Sequence, residues 1–143
     1  MLVDGRGVPL SLVVTGANRH DVTQLEAVLD GVVIKRANPP KRRHKHLCAD
    51  AGYTGAPALK IIKKHGYIPH VKGRGQEAKE LKRKPGHKAR RWIVEVAHSW
   101  FNRFRKLLVR YEKMDRSFLA LNHLAASIMA FRKIKMDVNI IYG

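Results

Sequence analysis

The fold is decided by the stretch 46–71, which reads HLCADAGYTGAPALKIIKKHGYIPHV. A short β-prone run at 46–49 is followed by a helical pattern over 56–65, and a second β-prone run covers 67–71. Strands that alternate with a helix are typical of an α/β layer. The same stretch leaves Asp50 directly after its first strand.

Upstream of this stretch the sequence predicts a β-hairpin followed by a helix. The β-rich runs 2–3 and 8–15 are joined by residues 4–7, whose Asp-Gly step favours a tight turn. Asp21 is expected to cap the helix, with Gln24 in the capping-box position. The apolar residues of this helix share one stripe, comprising Leu25, Val28 and Leu29.

Downstream, two amphipathic helices are predicted. The first covers about 89–112, and its core face is expected to comprise Ile93, Ala97, Trp100, Phe104, Leu107, Leu108 and Tyr111. The second begins near Asp115 or Ser117, and its apolar stripe comprises Leu121, Leu124, Ala125, Ile128 and Phe131. We expect the second helix to pack back on the first as an antiparallel pair.

The chain is strongly basic. Its 143 residues include 29 Lys and Arg against 11 Asp and Glu, which gives a formal net charge of +18. Such an imbalance implies a polyanionic partner, most often nucleic acid. Basic residues concentrate in two loops, 35–45 and 72–91, and the second is expected to be mobile. A single cysteine fits a reducing cytosol, and no apolar stretch is long enough to predict a membrane span.

Two carboxylates, Asp50 and Glu95, are the candidate catalytic residues. Asp50 ends a predicted strand, and Glu95 lies on a predicted helix one turn after Arg91. Two-metal sites for phosphoryl transfer are usually assembled from acids held in this way. Each acid also has a simpler interpretation, since Asp50 can form an Asx turn ahead of Gly52 and Glu95 can pair with Arg91 on a solvated face. The spacing alone leaves both interpretations open.

The order of these segments resembles the C-terminal two thirds of an insertion-sequence transposase of the DDE type. The resemblance is carried by VVTGANRHD, LCADAGYTG, YIPHV and RRWIVEVAHSWFNRFRKLLVRYEK. It implies an RNase H-like fold, which is a mixed sheet flanked by helices. In such a domain, residues 1–71 would supply the sheet and its helices, 72–90 a basic mobile loop and 91–143 the C-terminal helices.

The resemblance also implies the site. Asp50 matches the second catalytic Asp of the family and Glu95 its third acid, so both are expected to bind Mg²⁺ or Mn²⁺ for cleavage and strand transfer of element ends. The first catalytic Asp of the family lies upstream of the hairpin, so the domain is expected to be N-terminally truncated and inactive alone. Asp4 and Asp21 are weaker candidates for this ligand, because a hairpin turn and a helix cap explain them.

The sequence departs from the family pattern at three positions close to Glu95. Lys88 stands where the family has Tyr, Val96 where a basic residue is common, and Asn102 where Lys is expected. These departures affect the residues around Glu95 and leave the acid itself in place.

The expected partner is double-stranded DNA, as transposon ends and as target, in the prokaryotic cytosol and nucleoid. The full-length transposase or a product of an upstream reading frame is a further expected partner. The residues expected to contact DNA are Arg42, Arg43, Lys72, Arg74, Lys88, Arg90, Arg91 and Arg103. Two alternatives stay open, a non-catalytic DNA-binding remnant or regulator and an RNA-binding or ribosome-associated protein.

Two further features have a structural and a functional interpretation. His44, His46 and Cys48 alternate along a predicted strand and therefore share one face, but a zinc site needs a fourth ligand without an obvious source. Trp100 could stack on bases, although its place in the apolar stripe favours the core. In both cases the structural interpretation is the simpler one.

Overall fold

The computed structural model describes residues 1–16, 18–33, 44–73 and 92–133. Predictions that concern residue 17 or the segments 34–43, 74–91 and 134–143 lie outside the described residues. These segments include almost all of the two predicted basic loops.

The described residues form short strands and helices in α/β order. The strands are β1 (Leu2–Val3), β2 (Pro9–Ser11), β3 (Lys45–Ala49) and β4 (Tyr67–Val71). The α-helices are α1 (Leu25–Asp30), α2 (Ala56–Lys64), α3 (Trp92–Phe101), α4 (Arg105–Leu108) and α5 (Asp115–Lys133). Two 3₁₀ turns, Asp21–Gln24 and Ala51–Tyr53, precede α1 and α2. The predicted β-α-β order of 46–71 is confirmed.

The strands form two separate sheets in the part of the chain that the structure describes. β1 and β2 pair antiparallel, whereas β3 and β4 pair parallel, from Lys45 beside Tyr67 to Ala49 beside Val71. Both kinds of pairing that a mixed sheet combines are therefore present, but no hydrogen-bonded ladder between described strands joins them. The mixed α/β class is confirmed, and the single continuous sheet is not observed here.

The hairpin turn is held by the side chain of Asp4. Its Oδ1 accepts hydrogen bonds from the backbone N–H groups of Arg6 (2.8 Å) and Val8 (2.9 Å). Gly7 closes the turn at φ +81°, a conformation that L-residues with a Cβ rarely adopt. The interpretation of Asp4 as a turn residue is confirmed.

The predicted cap of the first helix is wrong. The chain enters α1 through a 3₁₀ turn whose N-cap is His20, with no side-chain capping bond. Asp21 lies inside this turn, and Gln24 donates a side-chain hydrogen bond to Thr23 (3.1 Å) instead of closing a capping box. The turn begins one residue earlier than the pattern suggested, because His20 is the residue with extended backbone.

The described residues form two small cores. The first contains Leu25, Leu29, Leu47, Ala58 and Ile62. The second contains Ala97, Phe101, Ala125 and Met129. β1 touches both, since Leu2 packs on the first core and Met1 and Val3 pack on the second. Successive side chains of a strand point to opposite faces, so this single strand links the two halves.

The long helix predicted over 89–112 is broken. α3 ends at Phe101, and Phe104 has extended backbone (φ −85°, ψ 103°) before α4 begins. The break interrupts the helical periodicity, so the predicted apolar stripe does not continue through Leu108 and Tyr111. Leu108 and Tyr111 are consequently 59% and 74% exposed, and their assignment to the core is wrong.

The last helix exists as predicted, but it is rotated about its axis. Ala125 and Met129 are buried, whereas Leu124 and Phe131 are exposed. The second core contains the small side chains of Ala97 in α3 and Ala125 in α5. The buried face of α5 is therefore the face that carries Ala125 and Met129, and not the whole predicted apolar stripe. Contact between α3 and α5 is observed, and their antiparallel orientation stays a prediction. None of the described helices is long and apolar enough to cross a membrane.

Candidate active site

A cavity of about 520 Å³ opens between β1, β3, α1 and α3. Asp50 reaches it from the end of β3, and Glu95 reaches it from α3. Asp21, Tyr53 and His98 also line the cavity, beside apolar side chains from β1 and α1. The two acids predicted from the sequence are therefore brought to one cavity, although 45 positions separate them in the chain.

Asp50 has a structural role as well as a place in the cavity. It is the N-cap of the 3₁₀ turn Ala51–Tyr53, and its Oδ1 accepts a hydrogen bond from the Ala51 N–H at 2.6 Å. Asp50 thus has a turn-capping role, and the Asx turn with a bond to the Gly52 N–H stays a prediction. A carboxylate can accept several hydrogen bonds on its two oxygens, so the cap does not exclude a second role as a ligand.

Glu95 lies in the first turn of α3 as the structure describes it, where a negative charge is favoured by the helix dipole. Its side chain is exposed and borders the cavity together with that of His98, one turn further along. The polar face of the predicted helix therefore lines a cleft at these positions. Arg91, the predicted partner of Glu95, lies outside the described residues.

Tyr53 and His98 are two side chains of the cavity whose pKa values are shifted by their surroundings. Burial raises the pKa of Tyr53 above its usual range, and the negative charges of Asp21 and Asp50 raise it further. Burial lowers the pKa of His98, and the positive amino group of Met1 adds to this effect, while Asp21 opposes it. At neutral pH the site therefore contains a protonated phenol and a neutral imidazole. Tyr53 and His98 each lie three positions after an acid, Asp50 and Glu95 respectively. The sequence did not indicate that the pKa values of these two residues are shifted.

The donor chemistry of the site fits a hard cation, since Asp50 and Glu95 offer carboxylate oxygens of the kind that Mg²⁺ prefers. The number of ligands is smaller than such a site needs. Within residues 1–16, 18–33, 44–73 and 92–133, no three His, Cys, Asp or Glu side chains are arranged to hold a metal ion. Asp21 lines the cavity without completing such a group, and Asp4 is committed to its turn.

Two of the predicted DNA-binding residues lie in the described part of the chain. Lys72 is half-buried just after β4, and Arg103 is exposed after α3. The remaining six lie outside the described residues, namely Arg42, Arg43, Arg74, Lys88, Arg90 and Arg91. DNA contact by all eight stays a prediction.

Trp100 belongs to the core rather than to an open stacking surface. It is half-buried against the second core. The guanidinium carbon of Arg103 lies 4.8 Å from the Trp100 ring centroid, and Lys133 Nζ lies 5.7 Å from it. These are cation–π distances. The structural interpretation of Trp100 is confirmed.

The predicted zinc interpretation of β3 gains no support, because His44, His46 and Cys48 do not form a three-ligand group. Cys48 is a half-buried free thiol. His46 instead contacts His70 of β4. The sequence did not indicate this contact, because His46 and His70 are 24 positions apart and their proximity depends on the register between β3 and β4.

Residues 47–132 match the family described as the transposase DDE domain. The match covers more than half of the chain, and the chain therefore belongs to the DDE transposase family. It is also 32% identical, over 115 residues, to a protein assigned as the transposase for insertion sequence element IS402 of Burkholderia cepacia. The aligned region covers 79% of this chain and 52% of that relative, so the chain spans about half the relative's length. No solved structure matches the chain, and neither comparison that matches favours an RNA-binding role.

Proposed function

We propose that the chain forms part of an RNase H-like transposase catalytic domain that cleaves and joins DNA at the ends of an insertion sequence. One observation carries the proposal: Asp50 and Glu95, the acids that match the family pattern, border one cavity from two different elements. Family membership supports it independently. Two acids with only structural roles would not be expected to border the same cavity in a chain of net charge +18.

In this proposal Asp50 and Glu95 hold divalent ions, Mg²⁺ or Mn²⁺, through their carboxylate oxygens. When bound, such ions activate the attacking oxygen and stabilise the leaving 3′ oxygen of the phosphodiester. The protein's task is to hold both carboxylates in fixed positions. The strand end that carries Asp50 and the helix that carries Glu95 are suited to it, because regular elements position side chains better than loops do.

A further strand is proposed to lie between β1 and β3 and to supply the third carboxylate. A second cavity of about 240 Å³ is bordered by residues of both strands, including Leu2, Val3, His46 and Leu47. Each of the two strands pairs on one side only within the described residues. A strand inserted there would join the two sheets into one mixed sheet, as the RNase H-like fold requires. The third carboxylate would then come from outside the described residues.

Tyr53 and His98 are proposed to act on the substrate as neutral groups. Because the pKa of Tyr53 is raised, first by burial and then by Asp21 and Asp50, its hydroxyl stays protonated and can donate a hydrogen bond to a phosphate oxygen or to water. Because burial lowers the pKa of His98, its imidazole can accept a proton from water or donate its own N–H. Neither residue adds charge to the site.

DNA is proposed to be held by basic residues of the chain, including Lys72 and Arg103. A guanidinium can contact two phosphate oxygens at once, and phosphate contacts fix the register of DNA without reading its sequence. The net charge of +18 would attract DNA electrostatically, and the range of this attraction decreases with salt because ions screen it.

The test uses a longer transposase, in which this chain is joined to an upstream segment with an Asp-bearing strand, and a labelled duplex that carries a transposon end. Asp50→Asn and Glu95→Gln are each expected to reduce Mg²⁺-dependent nicking to background while DNA binding is retained. Glu26→Gln is the matched control, since Glu26 is a partly exposed acid that pairs with Lys64 and does not line the cavity. Nicking at the wild-type rate by either cavity variant would refute the catalytic proposal.

A non-catalytic DNA-binding role is the second candidate function. The observation behind it is that no three His, Cys, Asp or Glu side chains among the described residues are arranged to hold a metal ion, although Asp21, Asp50 and Glu95 all border the cavity. The same experiment distinguishes the catalytic from the non-catalytic role. With a non-catalytic role the longer protein would bind the duplex but would not nick it.

A further inference from the structure

His46 of β3 and His70 of β4 form a contact that the proposed function does not use. His46 Nδ1 lies 2.7 Å from His70 Nε2, and the ring centroids are 4.9 Å apart at an interplanar angle of 40°. In the parallel register His46 lies beside Ile68 and Cys48 beside His70. Because side chains alternate along strands, the two histidines are diagonal neighbours on one face of this sheet. Both are exposed.

A hydrogen bond between two neutral imidazoles places one proton between two nitrogen lone pairs. The same two nitrogens can bind a metal ion instead, since neutral imidazole is the commonest protein ligand for transition metals. Binding needs one change of tautomer, because the proton leaves the bridging nitrogen and the other nitrogen of the same ring takes one up. It also needs both rings to turn, because the two nitrogens must point at the ion and not along the line that joins them. No backbone movement is required to bring the two ligands together.

The spacing of the nitrogens indicates which ion fits. With metal–nitrogen bonds of about 2.0 to 2.1 Å, two ligands at a right angle are about 2.9 Å apart, and two ligands at the tetrahedral angle are about 3.4 Å apart. The observed 2.7 Å is closer to the right-angle arrangement of tetragonal Cu²⁺ and Ni²⁺. Mg²⁺ prefers oxygen ligands and would not compete for this pair.

We propose that His46 and His70 form a two-histidine site for a divalent transition metal ion, with Cu²⁺ and Ni²⁺ preferred over Zn²⁺. The pair supplies two ligands, and no third His, Cys, Asp or Glu among the described residues forms a group with it. The bound ion would cross-link β3 to β4, the two strands that precede and follow α2. This site is separate from Asp50 and Glu95 and does not depend on their role.

The proposal is tested on the 143-residue chain by thermal unfolding with increasing Ni²⁺, which does not oxidise the free thiol of Cys48. Ni²⁺ is expected to raise the unfolding temperature, and Zn²⁺ to do so less at the same concentration. His46→Gln and His70→Gln should each weaken Ni²⁺ binding by roughly 10-fold or more, because the second ligand of a chelate acts at a high effective concentration. His123→Gln is the matched control, since His123 is exposed on α5, and it should keep the wild-type response.

A second measurement needs no variant. In the wild-type protein, substoichiometric Ni²⁺ should broaden the ring proton NMR signals of His46 and His70 before those of the other histidines. Equal broadening of all eight histidines, or a thermal shift that both pair variants retain, would show that the contact is a hydrogen-bonded pair only. Mg²⁺ should produce neither effect, and stabilisation by Mg²⁺ that His46→Gln removes would also overturn the proposal.

Discussion

The side-chain Oδ1 of Asp50 accepts a hydrogen bond from the backbone N–H of Ala51 at 2.6 Å, and the same side chain borders the cavity that contains Glu95. A structural role and the proposed catalytic role therefore coincide in one carboxylate. A single substitution to alanine would remove both roles together. Two different substitutions can separate them.

Asp50→Asn is expected to retain the fold and to lose metal affinity. The amide oxygen of asparagine can accept the same hydrogen bond, whereas it lacks the negative charge that a divalent ion requires. Asp50→Ala should also destabilise the protein, by about 1 kcal/mol, because it removes the cap. Chemical denaturation and Mn²⁺ binding, measured on both variants of the longer transposase, check this. Equal stability losses with unchanged Mn²⁺ binding would leave Asp50 a purely structural residue.

Glu95→Gln is expected to leave stability within about 0.5 kcal/mol of wild type, because Glu95 is exposed and such substitutions usually have small effects. Nicking by the longer transposase should nevertheless fall to background, since the glutamine amide replaces a negatively charged ligand with a neutral one. Denaturant unfolding and the nicking assay measure the two effects side by side. A large loss of stability would identify Glu95 as a structural residue instead.

The part of the fold that could be predicted is the part whose signals are local. The stretch 46–71 contains a strand, a helix and a strand with clear boundaries, and the hairpin turn is announced by Asp4-Gly5. The acids Asp50 and Glu95 could be selected because the family pattern marks them. Local periodicity was thus sufficient to predict these strands and this helix. The family pattern was sufficient to select the two candidate acids.

The features that could not be predicted depend on contacts between elements. The break at Phe104 and the rotation that exposes Phe131 follow from how α3 and α5 share a small core, and a hydrophobic stripe does not encode that choice. The proximity of His46 and His70 depends on strand register. Asp21 was assigned to a cap because its residue type is common there, whereas the turn begins at His20.

The pair formed by His65 and Asp30 is expected to make stability depend on pH. His65 Nε2 lies 2.9 Å from Asp30 Oδ1, at the ends of α2 and α1. The hydrogen bond to Asp30 raises the pKa of His65, and the Ile61 carbonyl raises it further. The stabilisation is therefore fully present below the ordinary histidine pKa of about 6.5 and is lost as pH rises through the raised value.

The size of this effect is limited, because Asp30 is largely exposed and exposed pairs contribute less than about 1 kcal/mol. Thermal unfolding between pH 5.5 and 8.5 should show a stability difference between wild type and His65→Gln that shrinks as pH rises. Asp30→Asn should reduce the same difference. A gap between wild type and His65→Gln that grows with pH would contradict the assigned sign.

DNA affinity is expected to be electrostatic and to depend steeply on salt. The logarithm of the binding constant should fall with the logarithm of salt concentration by about 0.9 per phosphate neutralised. Arg103→Gln is expected to reduce this slope by about 1 if the exposed guanidinium contacts a phosphate. Fluorescence anisotropy with a labelled duplex at several salt concentrations measures the slope.

Lys60→Gln is the matched control for Arg103, because it removes the same charge from an exposed position on α2. It should leave the slope closer to wild type. Arg103 also contacts the Trp100 ring, so its variant should lose roughly 0.5 to 1 kcal/mol of stability. Equal slopes for the two variants would assign Arg103 to this cation–π contact alone.

The strongest prediction concerns the two sheets. Each described strand pairs on one side only, and unpaired strand edges promote aggregation. β1 and β3 both border the cavities between the sheets, so the 143-residue chain is expected to be marginally stable or poorly soluble and to lack nicking activity in Mg²⁺ or Mn²⁺. A longer protein that supplies an Asp-bearing strand should be more stable and should nick a transposon end.

Amide hydrogen exchange shows which strands the added segment stabilises, which an activity assay cannot show. Backbone amides of β1 and β3 should exchange rapidly in the 143-residue chain and become protected in the longer protein, because a strand inserted between them would satisfy their unpaired groups. Amides of α5, which packs on the second core, should change less and serve as the internal control. Metal-dependent nicking by the 143 residues alone, lost on Asp21→Asn, would show that Asp21 is the third ligand and that no inserted strand is needed.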